Sequence, residues 1–90
     1  MGRRLVSEAE RSHGERLGRI LAERREGSQR SAAEIARASD VSLDAVRSLE
    51  TGRVPTPGFL TVARLAGALG LSLDDLHMQA SLPPAGGEPS

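Results

Sequence analysis

Residues 31–53, SAAEIARASDVSLDAVRSLETGR, decide the fold of this chain. Ser31 is followed three residues later by Glu34, which is the spacing of a capping box and predicts the start of a helix. Ser42 is a second candidate N-cap, and Gly52 is a typical residue for ending a helix. The stretch therefore predicts two short helices joined by a tight turn: helix 2 at about 32–39, the turn at 40–42 and helix 3 at about 43–51.

Two short helices joined in this way form a helix-turn-helix. Ala36, in the middle of helix 2, is small enough to let helix 3 cross close to it, and Val46 and Leu49 can attach helix 3 to the core. An exposed helix that carries an arginine and is held by its opposite, apolar face has what contact with the DNA major groove requires. The solvent-facing residues of helix 3 are expected to be Leu43, Asp44, Arg47 and Ser48.

Helical spacing continues on both sides of this stretch. Gly27 is expected to end helix 1, Thr56 and Pro57 have the pattern of an N-cap and a first helical residue, and Ser72 with Asp75 predicts a further start. The predicted ranges are about 15–26 for helix 1, 58–69 for helix 4 and 73–79 for helix 5. The residues expected to be buried in them are Leu17, Ile20, Leu21, Phe59, Val62, Leu65, Ala66, Leu69, Leu73 and Leu76.

Composition limits the class of protein. Apolar residues make up 38% of the 90, and Phe59 is the one aromatic residue, so a leucine and alanine core is expected, which favours helices over sheet. The chain has no cysteine, which excludes disulfides and thiolate metal sites, and no apolar run long enough for a membrane helix. Residues 1–13 are expected to form a flexible arm, 14–79 one folded domain and 80–90, rich in proline and glycine, a disordered tail.

All twelve basic residues are arginines, and they balance twelve acidic residues, so the net charge is zero. A neutral chain is not expected to bind polyanions without specificity. It can still bind nucleic acid where arginines gather on one face. His13 and His77 are isolated in the sequence, and no metal site, cofactor site or catalytic group is expected.

Two strings of the chain are typical of one family when they occur at this separation. They are Leu-Glu-x-Gly-Arg at 49–53 and Leu-Ala-x-Ala-Leu-Gly at 65–70. On these strings, residues 17–76 resemble the phage-repressor/Cro-type helix-turn-helix family, also called XRE-like. The resemblance implies an all-α, compact five-helix, lambda-repressor-like DNA-binding domain.

The resemblance also implies roles for single positions. Arg25 and Glu50 stand where family members form an ion pair between helix 1 and helix 3. The positions that approach base edges are Leu43, Asp44, Arg47 and Ser48. The positions at or near phosphate are Ser31, Ala32 and Arg53.

This chain departs from the family pattern at three places. Ala32 replaces the usual glutamine whose side chain contacts phosphate, and Gln29-Arg30 replaces the usual Gly-Leu before helix 2, which removes one core residue. Arg30 is a candidate phosphate contact in exchange. Asp44 either accepts a hydrogen bond from cytosine N4 or stabilises the helix N-terminus through the dipole, and the second interpretation is favoured.

The resulting prediction is a cytoplasmic, non-enzymatic regulator of transcription. It binds double-stranded DNA through helix 3 in the major groove, as a homodimer on a palindrome. Helix 5 with Met78, or residues 1–13, are the candidate dimer surfaces. Two alternatives remain. One is an antitoxin or restriction–modification controller with the same fold and a protein partner, and the other is a helix-turn-helix fold that serves as a protein-binding adaptor.

Overall fold

The computed structural model describes residues 7–81, which form five α-helices and, over that range, no strand. The helices are α1 (Glu8–Gly27), α2 (Ala32–Ser39), α3 (Leu43–Glu50), α4 (Phe59–Leu69) and α5 (Leu73–Ser81). α1 packs against α3 and α5, and α2 packs against α3 and α4. The all-α fold predicted from the sequence is confirmed.

The two helices at the centre of the sequence begin and end for local reasons. Ser31 accepts a hydrogen bond from the Glu34 amide, and the Glu34 carboxylate accepts one from the Ser31 amide, so the capping box is complete. Ser42 accepts from the amide of Ala45 at the start of α3. Asp40, at the end of α2, adopts a left-handed backbone conformation with φ 59°, which turns the chain into α3.

The core consists of leucine, isoleucine, valine and alanine side chains from all five helices. Each of its members is at most 8% exposed. Because these side chains are short, the helices approach closely, most of all where α1 crosses α3. The core residues are Leu17, Leu21, Ile35, Ala36, Val46, Leu49, Leu65, Ala66, Leu69, Leu76 and Ala80.

The predicted start of helix 1 at about residue 15 is wrong. α1 begins at Glu8, because Ser7 and Glu10 form a second capping box of the same kind as the one before α2. Residues 8–13 are therefore helical and not part of a flexible arm. Residues 1–6, the remainder of that predicted arm, lie outside the described residues.

The predicted N-cap of helix 4 is also wrong, although the predicted range of about 58–69 agrees with α4 to within one residue. α4 has Gly58 as its N-cap and begins at Phe59, so Thr56 and Pro57 belong to the preceding loop. That loop packs onto α1: a Cβ on Gly14 would lie 2.6 Å from the carbonyl oxygen of Pro55. The packed loop contains both residues that the sequence pattern assigned to the N-cap and to the first helical position.

Three predictions for the C-terminal part of the chain are wrong: the burial of Phe59, the burial of Leu73 and the end of helix 5. Phe59 is 74% exposed and Leu73 is 38% exposed, because each lies at the first position of its helix, where no other element covers it. α5 extends to Ser81, and Ala80 is fully buried, so the predicted tail does not begin at residue 80. The rest of that tail, 82–90, lies outside the described residues.

Candidate nucleic-acid interface

Arg25 and Glu50 form a bidentate ion pair between α1 and α3. The Nε atom of Arg25 donates to one carboxylate oxygen of Glu50 at 2.7 Å, and Nη2 donates to the other at 3.0 Å. The two side chains are 16% and 14% exposed. The hydrogen bond to Glu50 is the largest cause that raises the pKa of Arg25 above its ordinary value, so the guanidinium stays charged.

The same guanidinium also holds the segment before α2. Nη1 of Arg25 donates to the carbonyl oxygen of Arg30 at 2.8 Å. One side chain therefore fixes α3 and the N-terminal approach to α2 relative to α1. Planar, bidentate contacts of this kind constrain geometry as well as adding stability.

The outer face of α3 presents the predicted group of side chains, with unequal exposure. Asp44 and Arg47 are exposed, and Ser48 is half-buried. Leu43 is half-buried and packs against the core, so only part of it faces solvent. Within residues 7–81 the guanidinium of Arg47 has no hydrogen-bond or ion-pair partner, and it is available to a ligand.

Arg53 lies just beyond the C-terminal end of α3. Gly52 adopts φ 76°, a left-handed conformation that ends the helix and turns the chain. Arg53 is exposed, and its Nε atom donates to the hydroxyl of Thr51 at 3.3 Å. That hydroxyl in turn donates to the carbonyl oxygen of Arg47 at 2.9 Å. Arg47 and Arg53 are thus carried by one end of α3.

Arg30 is engaged within the protein. Its Nη2 donates to the carbonyl oxygen of Ala68 at 3.0 Å, and its Nε donates to the hydroxyl of Ser28 at 3.3 Å. The contact with Ala68 ties the start of α2 to the end of α4, where the sequence lacks the usual apolar residue. Ala32, the first residue of α2, packs its methyl group against the core. Its amide is among the first of a helix, which have no partner within the helix.

The sequence analysis did not include Arg37 among the candidates. Arg37 is exposed in the last turn of α2 and lines a hollow between α2 and α3 together with Asp40 and Leu43. The sequence could have indicated this candidate, because Arg37 falls near the end of predicted helix 2, three residues before the tight turn at 40–42. It is a further exposed arginine of the helix-turn-helix, in addition to Arg47 and Arg53.

A second feature lies on α1 and α5. The rings of His13 and His77 have centroids 5.8 Å apart, and the buried Nε2 of His13 has no hydrogen-bond partner among the described residues. Burial is the largest cause that lowers the pKa of His13, followed by the charges of His77 and Arg16. Residues 7–81 bring together no group of three or more histidine, aspartate or glutamate side chains that could hold a metal ion.

The sequence matches a known family over the region that carries these features. The sequence model of a helix-turn-helix domain family matches residues 16–78. The chain belongs to this helix-turn-helix family, in agreement with the resemblance to the phage-repressor/Cro type. The fold suggests DNA binding, and the family is typically non-enzymatic.

Two further findings concern the chain. No curated protein matches its sequence. Among residues 7–81, none of the helices is both long enough and apolar enough to span a bilayer.

Proposed function

We propose that this protein is a sequence-specific regulator of transcription that binds double-stranded DNA with α3 in the major groove. The proposal rests on one observation about α3. The Arg25–Glu50 ion pair fixes this helix to α1, and the guanidinium of Arg47 on its outer face has no partner among residues 7–81. A rigid helix with an available guanidinium suits major-groove contact, because the arginine fork matches the O6 and N7 atoms of guanine. The proposed location is the cytoplasm.

The proposed contacts divide into two kinds. Base-edge contacts come from Leu43, Asp44, Arg47 and Ser48, with Arg47 as the principal one and Asp44 chiefly stabilising the helix N-terminus. Phosphate contacts come from Arg53, from Arg30 through the N–H groups that it does not use internally, and from the start of α2, where the hydroxyl of Ser31 and the amide of Ala32 can donate. Arg37 joins this second set, since it is exposed beside the turn.

One domain of this size makes few contacts, so we propose that a homodimer binds a palindromic site. The two half-sites would then be about 34 Å apart, one turn of DNA. Regulation by protein concentration, by a protein partner or by modification is part of this proposal. The proposal includes a narrower possibility, an antitoxin or a restriction–modification controller with the same DNA-binding fold. Binding of a toxin or a methylase would identify it.

The test begins with a selection of bound sequences from a random duplex pool. Arg47→Ala should then lower affinity for the selected site by about 1–3 kcal/mol and relax the preference at one or two base positions. Arg53→Ala should weaken binding to all duplexes alike and reduce the slope of log affinity against log salt by about one unit. The two variants are matched, because both remove an exposed arginine from the same end of α3.

Two results would contradict the proposal in different ways. If both variants bind every duplex as the parent does, the helix-turn-helix is not used for DNA. The chain would then be a protein-binding adaptor, a role that Ala32, the exposed Asp44 on α3 and the zero net charge favour. If the effects of the two variants are exchanged, DNA binding stands, but the orientation of α3 in the groove is wrong.

A further inference from the structure

α1 and α3 end in the same backbone arrangement. Their C-cap residues are Ser28, with φ −87° and ψ −1°, and Thr51, with φ −89° and ψ 0°. The next residue has a left-handed backbone in both cases, with φ 61° at Gln29 and 76° at Gly52. Each helix therefore ends in a turn that sends the chain out in a fixed direction, and an arginine follows the turn directly.

In both turns the hydroxyl of the C-cap residue joins the helix to this arginine. The Ser28 hydroxyl donates to a carbonyl oxygen in the last turn of α1 at 2.7 Å, and Nε of Arg30 donates to that hydroxyl at 3.3 Å. The Thr51 hydroxyl donates to a carbonyl oxygen in the last turn of α3 at 2.9 Å, and Nε of Arg53 donates to it at 3.3 Å. This hydroxyl–arginine motif holds the first part of the guanidinium against the end of its helix.

The two copies of the motif differ in what the rest of the guanidinium contacts. Nη2 of Arg30 donates to the carbonyl oxygen of Ala68 at 3.0 Å, so this copy is part of the packing onto α4. Within residues 7–81 the Nη atoms of Arg53 have no hydrogen-bond or ion-pair partner, and the side chain is exposed. Because arginine has five N–H donors, the contact of Nε with Thr51 leaves four of them for a ligand.

The C-terminal end of α3 requires a cation if it is to lie against DNA. The last carbonyl groups of a helix carry a partial negative charge, which repels phosphate. Glu50 in the last turn adds a carboxylate, although that charge is paired with Arg25. Arg53, held at this end by Thr51, reverses the sign of the charge that a phosphate would meet there.

We propose that Thr51 is a positioning residue for DNA binding, and that it acts by holding the Arg53 guanidinium towards a phosphate of the duplex. The inference rests on the proposed function and deepens it, because it assigns the residue that prepares one phosphate contact. A side chain that is already ordered in its binding orientation loses less conformational entropy when the ligand binds. Thr51 itself needs no contact with the DNA.

The test compares duplex affinity and its salt dependence in variants of Thr51. Thr51→Val removes the hydroxyl and keeps the branched shape, and it should weaken binding to all duplexes by about two- to tenfold. The slope of log affinity against log salt should change by less than the unit of about one expected for Arg53→Ala, because the charge of Arg53 is still present. Thr51→Ser keeps the hydroxyl and should bind duplexes as the parent does.

A double-mutant cycle separates positioning from a general loosening of α3. In the Arg53→Ala background, Thr51→Val should cause no further loss of affinity, since the side chain that it positions is absent. Ser28→Ala is the matched control, because it removes the hydroxyl of the same motif on α1. Arg30 keeps its contact with Ala68 in this variant, so the control should bind duplexes as the parent does.

All affinities are measured below the onset of thermal unfolding of each variant. Equal binding by Thr51→Val and the parent would overturn the inference and leave the proposed function standing. An equal loss from Thr51→Val with and without Arg53, or an equal loss in Ser28→Ala, would mean that the hydroxyl only stabilises a helix end, and would also overturn it. A parent that binds no duplex would contradict the proposed function, and this inference with it.

Discussion

At the scale of single residues, Arg25 contributes most to the position of α3. Its removal would leave the Glu50 carboxylate, 14% exposed, without its bidentate partner and would free the carbonyl oxygen of Arg30. We expect Arg25→Ala to lower the free energy of unfolding by about 1–4 kcal/mol, measured by chemical denaturation.

The neighbouring residue Arg24 is the matched control, because it is exposed on the same turn of α1. Arg24→Ala should change stability by no more than about 0.5 kcal/mol. Equal losses in the two variants would mean that the Glu50 contact contributes nothing beyond a general surface charge.

His13 predicts a dependence of stability on pH. Its pKa is lowered from the ordinary 6.5, first by burial and then by His77 and Arg16, so the folded protein disfavours the charged form. Below pH 6.5 the unfolded chain binds more protons at this position than the folded one. Stability should therefore fall as the pH decreases through 6.5 and should stop falling from this cause below the folded-state pKa.

Thermal unfolding between pH 7.5 and 5.5 checks this expectation. His13→Gln should show a flatter dependence than the parent, and His77→Gln an intermediate one, since one of the causes of the lowered pKa is removed. An unchanged slope in His13→Gln would rule out His13 as its source.

A contact between two side chains was predictable from the sequence where both residues belong to a family sequence pattern. Arg25 and Glu50 occupy matching positions of a family pattern, and the structure brings them together at 2.7 Å. The contact of Arg30 with the Ala68 carbonyl was not predictable in this way, because every residue type has a backbone carbonyl that can accept a hydrogen bond. The exposure of Phe59 was also not predictable, since helical spacing indicates which face of a helix is apolar but not how far the neighbouring helices cover that face.

At the scale of helices, Gly18 sets the distance between α1 and α3. A Cβ at this position would collide with the carbonyl oxygen of Leu49, so no side chain fits without moving α3. We expect Gly18→Ala to lower the free energy of unfolding by about 1–3 kcal/mol or more, measured by chemical denaturation.

Gly27 provides the comparison within the same helix. A Cβ there would meet nothing within 4 Å, and alanine favours helix over glycine, so Gly27→Ala should raise stability by about 0.5 kcal/mol. If Gly18→Ala were as well tolerated as Gly27→Ala, the close approach of α1 and α3 would be refuted.

The turn between α1 and α2 contains a backbone conformation that suits glycine. Gln29 has φ 61°, in the left-handed region that costs a residue with a side chain about 1–2 kcal/mol. Gln29→Gly should raise the free energy of unfolding by about 0.5 kcal/mol, because the relief of strain exceeds the added entropy of the unfolded chain. Gln29→Ala should bring no such gain. A loss of stability in the glycine variant would contradict the expectation.

Helix boundaries were predictable where local hydrogen bonds decide them. Ser31 with Glu34 fixed the start of α2, and Gly52 the end of α3, because both signals act within a few residues. The start of α1 was missed although Ser7 and Glu10 have the same spacing, since residues 8–13 offer few apolar side chains. The start of α4 depends on how its preceding loop packs on Gly14, and contacts distant in sequence do not appear in local patterns.

At the scale of the whole molecule, the proposal rests on exposed arginines in and directly after the helix-turn-helix. Arg37 comes from α2, Arg47 from α3 and Arg53 from the loop that follows. The zero net charge of the chain does not show where these arginines lie, so DNA affinity cannot be inferred from composition alone. The position of the surface, and not the total charge, should determine where duplex DNA binds.

The most direct test is a titration of the ¹⁵N-labelled protein with the selected duplex, followed by amide chemical-shift changes. The largest changes should occur along the outer face of α3, at the first turn of α2 and at Gly52 and Arg53, with small changes in the middle of α5. Changes confined to the groove lined by Leu17, Val62 and Leu76, or none with any duplex, would contradict the claim that α3 binds DNA.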